Sequence, residues 1–337
     1  MAPTLPSSMR ALQWTTTAGG IEKNLKLQKA APLPKNAAQL PVNSTLVKIS
    51  FASVNPFDYK FPELPIANLI LAKPGIPCFD YAGTVVQSTR SSVKAGDRVF
   101  GRCDIPNFGA LAEYAVISQK GGCVRVPDGV KLEDAATIGT AALTAYQSLV
   151  PFVKPGDKVL INGGSGGVGT YAIQICKILG ANVTVTCSGK NAELCKSLGA
   201  DEVIDYQTQD VIDYLLRSGK QYNHIFDTVW ADNKFYWQAH NYLQAEGTFV
   251  TIAAHPNLST LRTVLAINFL PDFLTGKKRK FKFVSVSANA EHYEQIAGWM
   301  KDGNLKPVIE RVYDLEDAAE AFVSFNPLYL YGFIDLF

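Results

Sequence analysis

Apolar and polar positions change their rhythm twice along this chain. Up to about Val126, apolar residues alternate with polar ones in short runs: Leu46-Val47-Lys48-Ile49-Ser50-Phe51, Tyr81-Ala82-Gly83-Thr84-Val85-Val86 and Asp97-Arg98-Val99-Phe100. Gly and Pro punctuate these runs, which predicts a compact β-domain with irregular loops. From Leu132 to Val150 the apolar spacing lengthens to three or four residues, which predicts helix. After the turn Pro155-Gly156-Asp157, strand-length runs return at wider intervals: Lys158–Asn162, Asn182–Cys187, Glu202–Asp205, His224–Asp227, Thr248–Ile252 and Phe281–Val286. Helical patterns lie between most of them, as a doubly wound parallel sheet requires. The segment Leu261 to Leu274 is unusually apolar for a connection. It reads either as a core helix or as a cover over a substrate pocket or subunit contact. Glu291 to Met300 reads as helix, and the tail from Val308 to Phe337 is expected to pack back onto the first domain.

The most informative stretch follows the first wide-spaced strand. Lys158-Val159-Leu160-Ile161-Asn162 runs into Gly163-Gly164-Ser165-Gly166-Gly167-Val168-Gly169, and a helical pattern continues to Gly180. Gly164, Gly166 and Gly169 have the spacing of the dinucleotide-binding fingerprint, in the strand–turn–helix setting that it needs. On that pattern Gly164 allows the tight turn, Gly166 lets a pyrophosphate approach the backbone, and Gly169 lets helix and strand pack closely. Free N–H groups at the helix start then face the phosphates, aided by the helix dipole, which makes Gly164, Ser165, Gly166, Gly167 and Val168 the expected cofactor-binding residues of the turn.

Composition narrows the alternatives. The chain has 337 residues, enough for two domains, and is 47% hydrophobic and 18% charged. A net charge of +2 gives no field that would draw it to nucleic acid or a membrane surface. The one basic run, Lys277-Lys278-Arg279-Lys280, reads as a solvated loop before a strand. No long uncharged apolar run predicts a membrane span, and the first ten residues lack the apolar core of a signal peptide. The six cysteines show no C-x-x-C pairing, which suits reduced thiols and a cytoplasmic protein. The four histidines are scattered without ligand spacing and read as structural or surface residues.

Several ordered motifs carry a family resemblance: Ser53-Val54-Asn55-Pro56-Phe57-Asp58-Tyr59-Lys60, Asp80-Tyr81-Ala82-Gly83, Ala95-Gly96-Asp97-Arg98-Val99-Phe100-Gly101, Gly109-Ala110-Leu111-Ala112-Glu113-Tyr114, Leu143-Thr144-Ala145-Tyr146-Gln147, the glycine turn, and Leu198-Gly199-Ala200-Asp201-Glu202-Val203-Ile204-Asp205-Tyr206. In this order, from about residue 10 to about residue 325, they resemble the medium-chain dehydrogenase/reductase superfamily. Within it they resemble the zinc-independent quinone-oxidoreductase-like and enoyl-reductase branch. The resemblance implies an α/β protein. A GroES-like β-rich catalytic domain (1–147 and 291–337) would enclose a Rossmann domain with a doubly wound parallel sheet (148–290). It also implies a nicotinamide cofactor and a homodimer joined through the sixth-strand edges of the Rossmann sheets.

The residues sharpen these expectations. Zinc-dependent relatives need a thiolate where Asn55 stands and a histidine where Phe79 stands, and neither residue here suits a tetrahedral site; no metal is expected. The second Rossmann strand ends Cys187-Ser188-Gly189-Lys190-Asn191, with no acid to hold a ribose diol. Ser188 and the charge of Lys190 (or Asn191 in its place) favour a 2′-phosphate and hence NADPH. Tyr206 resembles the tyrosine lining that phosphate pocket in relatives. Thr144 and Ile252 complete the expected cofactor contacts. For the chemistry, Asn55 resembles the amide near the nicotinamide and the substrate oxygen, while Tyr59 and Lys60 can donate to the developing oxyanion. Relatives carry a basic residue before the last strand, where this chain reads Asn326-Pro327-Leu328-Tyr329-Leu330-Tyr331. The expected activity is hydride transfer from NADPH to a quinone or to the C=C of an enone. The alternatives are a trans-acting enoyl reductase of secondary metabolism and a non-catalytic NADPH-binding redox sensor or structural protein.

Overall fold

The structure is a computed structural model, and it describes residues 5–106, 108–253, 263, 279–324 and 332–335. Two compact units emerge, Met1–Leu143 with Ser287–Phe337, and Thr144–Val286.

The first unit is β-rich. Strands β1 (Met9–Gln13) and β2 (Lys26–Ala31) form an antiparallel pair. The larger sheet holds β3 (Thr45–Ser53), β4 (Asp80–Ser88), β5 (Arg98–Arg102), β6 (Tyr114–Ile117) and β7 (Val124–Arg125). Residues Leu46, Val47, Ile49 and Ala52 of β3 are fully buried, while Lys48 between them is exposed. The core beneath gathers Trp14, Ile49, Phe79, Tyr81 and Val99. The register places Ser53 opposite Asp80, and Asp80 opposite Arg102. The carboxyl end of β3 thus delivers Val54 and Asn55 beside the start of β4.

The second unit holds an all-parallel sheet: β8 (Lys158–Asn162), β9 (Asn182–Cys187), β10 (Glu202–Asp205), β11 (Tyr222–Asp227), β12 (Leu243–Thr251) and β13 (Lys280–Phe283). Its order is β10-β9-β8-β11-β12-β13. Counted within the unit this is 3-2-1-4-5-6, the dinucleotide-binding order, with its switch point between β8 and β11. The strands stop near their predicted ends, except that the sixth closes at Phe283 rather than Val286.

The tail returns to the first unit as expected. Strands β14 (Arg311–Asp314) and β15 (Gly332–Asp335) join the larger sheet, and β15 lies antiparallel to β3 with Phe333 opposite Ser53. The helix predicted over 291–300 spans Ala290–Lys301. The apolar stretch at 261–274 lies outside the described residues except for Thr263, and so does Asn326–Tyr331. Of the basic run, Lys277 and Lys278 lie outside the described residues, and Arg279 is not simply solvated. Arg279 donates to the main-chain carbonyls of Leu243 and His240, at 2.7 and 2.9 Å, and pins the approach to β13.

Candidate functional site

The glycine turn is shaped by its neighbours. Val159, Leu160 and Ile161 of β8 are fully buried. Beyond Asn162 the chain turns at Gly163, whose φ of 92° lies in the left-handed region. The tight-turn role expected of Gly164 therefore belongs to Gly163. Gly164 instead makes room, since a Cβ there would stand 2.6 Å from Cβ of Val185. Gly169 is the closest approach in the turn: a Cβ would lie 2.1 Å from the Gly163 carbonyl oxygen. At Gly166 the nearest obstacle is 3.4 Å away, so its side is open. The helix that follows, Gly167–Ile178, has no side-chain cap. Its first-turn N–H groups are the orphan donors that bind phosphate in such turns.

A polar brace supports the turn from beneath. The Asn162 amide donates to Asp227 at 2.8 Å, and the Thr186 hydroxyl donates to Asn162 Oδ1 at 2.5 Å. Thr186 in turn accepts the Gly163 N–H on its hydroxyl and the Gly164 N–H on its carbonyl. The ends of three neighbouring strands are thereby locked together under one loop.

The remaining cofactor candidates stand at the carboxyl ends of these parallel strands. Ser188 is buried directly after β9, and Lys190 is exposed in the turn Gly189–Asn191. The Asn191 amide donates to the Ser165 hydroxyl at 3.1 Å, so this loop touches the glycine turn. Tyr206 follows β10, its ring exposed and its N–H bonded to the Cys187 carbonyl. Ile252 is half-buried just past β12. Thr144, at the start of the helix Leu143–Leu149, is buried. Sequence reasoning gave no role to Asp205, which the structure sets against this loop: a Cβ on Gly189 would come within 2.6 Å of its carboxylate.

In the first unit Asn55 opens the helix Pro56–Glu63 and is buried, 3% exposed. Two buried carboxylates hold it. Asp58 accepts the Asn55 main-chain N–H at 2.5 Å and that of Phe79 at 3.0 Å. Asp80 accepts one amide hydrogen of Asn55 at 3.0 Å, and it also takes the Thr140 N–H at 2.7 Å and the Thr140 hydroxyl at 2.6 Å. A π-helical turn, Ile138–Ala142, presents Thr140 in this way. Gly139 permits the approach, because a Cβ there would lie 2.6 Å from the Asp80 carboxyl carbon.

Burial pushes the Asp80 carboxyl up to about 6, against the pull of Arg102 and the hydrogen bonds from Thr140 and Asn55. Burial and the neighbouring Asp80 push Asp58 well above the carboxylate range, opposed by the N–H groups of Asn55 and Phe79. Asp58 and Asp80 lay inside motifs legible in the sequence, but only the fold shows that they face Asn55. Acids set among apolar residues were the available signal.

Tyr59 is half-buried against the core, and burial together with Glu63 raises its hydroxyl. Lys60 is exposed, its ammonium 6.0 Å from the Tyr59 ring centre. Aromatic rings fill the neighbourhood: Phe79 stacks on Phe108 at 4.5 Å and tilts against Phe57 at 5.4 Å, and Phe57 stacks on Phe61 at 5.0 Å. Phe57 remains 40% exposed. Among the described residues no group of three or more His, Cys, Asp or Glu is arranged to hold a metal ion. All six cysteines are buried and free. His224, buried and stacked on Phe152, is pushed down to about 4 by burial and stays neutral.

Two family models match the chain: alcohol dehydrogenase GroES-like domain over residues 42–128, and zinc-binding dehydrogenase over residues 198–324. A trans-enoyl reductase from Aspergillus terreus is 40% identical over 332 residues, covering 94% of this chain and 92% of that protein. The chain belongs to the medium-chain dehydrogenase/reductase superfamily, in its quinone-oxidoreductase-like and enoyl-reductase branch. Another member, a chloroplast envelope quinone oxidoreductase homologue from Arabidopsis thaliana, is 33% identical and covers 94% of both chains. Among solved structures, the quinone oxidoreductase from Coxiella burnetii superposes with a TM-score of 0.80 at 27% identity, covering 98% of this chain and 100% of that one. As a member of this superfamily the chain is an oxidoreductase. No described helix is long and apolar enough to cross a membrane.

Proposed function

We propose that the protein is an NADPH-dependent, zinc-independent reductase that delivers hydride to the C=C of an α,β-unsaturated carbonyl or to a quinone. The observation that carries this reading is the 40% identity to a trans-enoyl reductase along nearly the whole chain. That same likeness favours the enoyl arm, including a trans-acting role in secondary metabolism.

Zinc does not fit the residues at its family position. The Asn55 amide is committed as a donor to Asp80, and Phe79 lies in an aromatic stack. Polarisation of the acceptor must then come from hydrogen-bond donors. A dinucleotide does fit the glycine turn, whose open side at Gly166 and uncapped helix start offer amides to a pyrophosphate. Bound there, a dihydronicotinamide supplies the hydride. Hydride addition to the β-carbon leaves negative charge on the carbonyl oxygen, and a proton must then reach the α-carbon. The second amide hydrogen of Asn55 stabilises that oxygen. Tyr59, held protonated by burial, and the Lys60 ammonium are the further donors.

For the cofactor, Ser188 and Lys190 offer a hydroxyl and a positive charge to a 2′-phosphate, with Tyr206 beside them. Asp205 works against that phosphate, so the preference for NADPH over NADH hangs on Lys190. The free thiols suit a cytoplasmic protein, and the outer strand β13 offers an edge for a homodimer. NADPH oxidation against a panel of enones and quinones tests the reading. Tight NADPH binding with no oxidation across the panel would instead favour a non-catalytic NADPH sensor. Stoichiometric zinc in chelator-washed protein would refute the metal-free site.

A further inference from the structure

Asn55 can serve as an oxyanion donor only if its carboxamide is held one way round. An ionised carboxylate accepts and cannot donate, so the amide nitrogen of Asn55 must face Asp80. Asp80 thus fixes the nitrogen end of the amide, while the capping box with Asp58 steadies the side chain at the helix start. Asp80 is fully buried and held at two points by a single residue, since Thr140 gives its N–H to Oδ2 and its hydroxyl to Oδ1. The π-helical turn and the missing side chain of Gly139 exist at this spot, and together they bring Thr140 onto the carboxylate. The Tyr293 hydroxyl donates to the Gly139 carbonyl at 2.9 Å and fixes the turn from the far side. A buried charge is costly, and a simple core would not keep one here.

We propose that Thr140 and Asp80 are positioning residues for the reduction: they lock the Asn55 carboxamide so that its second N–H is presented to the developing oxyanion. The assignment rests on the reductase reading for the role of Asn55. Neither residue touches the substrate; each acts through Asn55. The ligand this device selects is an acceptor whose carbonyl oxygen gains charge during hydride addition, such as an enone or quinone.

A double-mutant cycle between Thr140→Val and Asn55→Ala tests it, with Thr140→Ser as the conservative control. Thr140→Val removes one hydrogen bond and keeps the shape. It is expected to lower kcat about tenfold while leaving the NADPH dissociation constant unchanged, a loss typical of one positioning hydrogen bond. Thr140→Ser, which keeps the hydroxyl, should recover most of the rate. In the Asn55→Ala background Thr140→Val should cost nothing further. A second readout is independent of turnover. The nitrogen-15 side-chain amide resonances of Asn55, assigned by their loss in Asn55→Ala, should shift in Thr140→Val and return in Thr140→Ser. Additive losses in the cycle would overturn the proposal, and so would a Thr140→Val effect confined to NADPH binding. If the wild-type protein reduces no acceptor, the functional reading fails by itself. The positioning claim is then judged on the amide resonances, and unchanged resonances in Thr140→Val overturn it.

Discussion

Both units set an asparagine against a buried aspartate, yet the pairs differ in what they support. In the second unit Asn162 donates to Asp227 at 2.8 Å, and Asp227 also takes the N–H groups of Val229 and Trp230. That pair props up a loop whose working groups, in the proposed function, are main-chain amides. In the first unit Asn55 donates to Asp80 at 3.0 Å, and in the proposed function the working group is the amide side chain itself. A backbone cradle is vulnerable to an added Cβ and indifferent to most side-chain chemistry. A side-chain clamp is vulnerable to the loss of a single donor or acceptor. The two units should therefore fail under different substitutions.

The largest effect is expected at Gly169. Alanine there meets the Gly163 carbonyl at 2.1 Å, a backbone clash that the fold cannot relieve cheaply. Overpacking of this kind costs about 1–3 kcal/mol or more, so thermal unfolding should shift down and NADPH binding should vanish. Gly166→Ala is the informative partner. Its Cβ meets only ordinary contact at 3.4 Å, so the melting temperature should hold while NADPH affinity collapses. If Gly166→Ala binds NADPH normally, no pyrophosphate lies on this turn.

Next in size is Asn55→Ala. NADPH should still bind, and hydride transfer should slow by about 10²-fold, the loss seen when one oxyanion donor is removed. Lys190→Ala should weaken NADPH about tenfold and NADH hardly at all, measured as the ratio of their KM values, because only the phosphate carries the extra charge. Equal preference in the unmodified protein would refute the phosphate assignment.

The smallest effect is a pH dependence set by Asp80, whose charged neighbours are Arg102 and Asp58, with Cys103 and Tyr293 packed close by. The fold raises its carboxyl from 3.8 to about 6, so the folded state holds this proton more tightly than the unfolded chain. Its contribution to stability is present below pH 3.8 and is lost as pH rises through about 6. Rate should move the other way, because a protonated Asp80 accepts poorly from Asn55. Turnover should fall as pH drops through about 6, and the melting temperature of wild type should gain on that of Asp80→Asn over the same range. A flat rate profile between pH 7 and 5 would separate Asp80 from catalysis.

The same contrast governs what could be read from the chain. The cradle is local: a strand, a glycine turn and a helix lie within about twenty residues, so periodicity and spacing reveal it. Even so, the left-handed turn fell on Gly163 rather than Gly164, because the volume of Val185 on the next strand fixes where each glycine is needed. The clamp is distributed. The Asn55–Asp58 helix start, Asp80 and Thr140 come from three separate segments that only strand register and a π-helical turn bring together. Asn55 was legible as a candidate, but Thr140 sat in a stretch that looked like plain helix. Arg279 was misjudged for the same reason, since its carbonyl partners lie more than thirty residues away.

The most direct test of the central claim is single-turnover oxidation of bound NADPH by an enone, compared between wild type and Asn55→Ala at equal NADPH occupancy. The account predicts rapid oxidation by wild type and a rate lower by about two orders of magnitude in the variant, with unchanged cofactor affinity. Equal rates in the two proteins would contradict it.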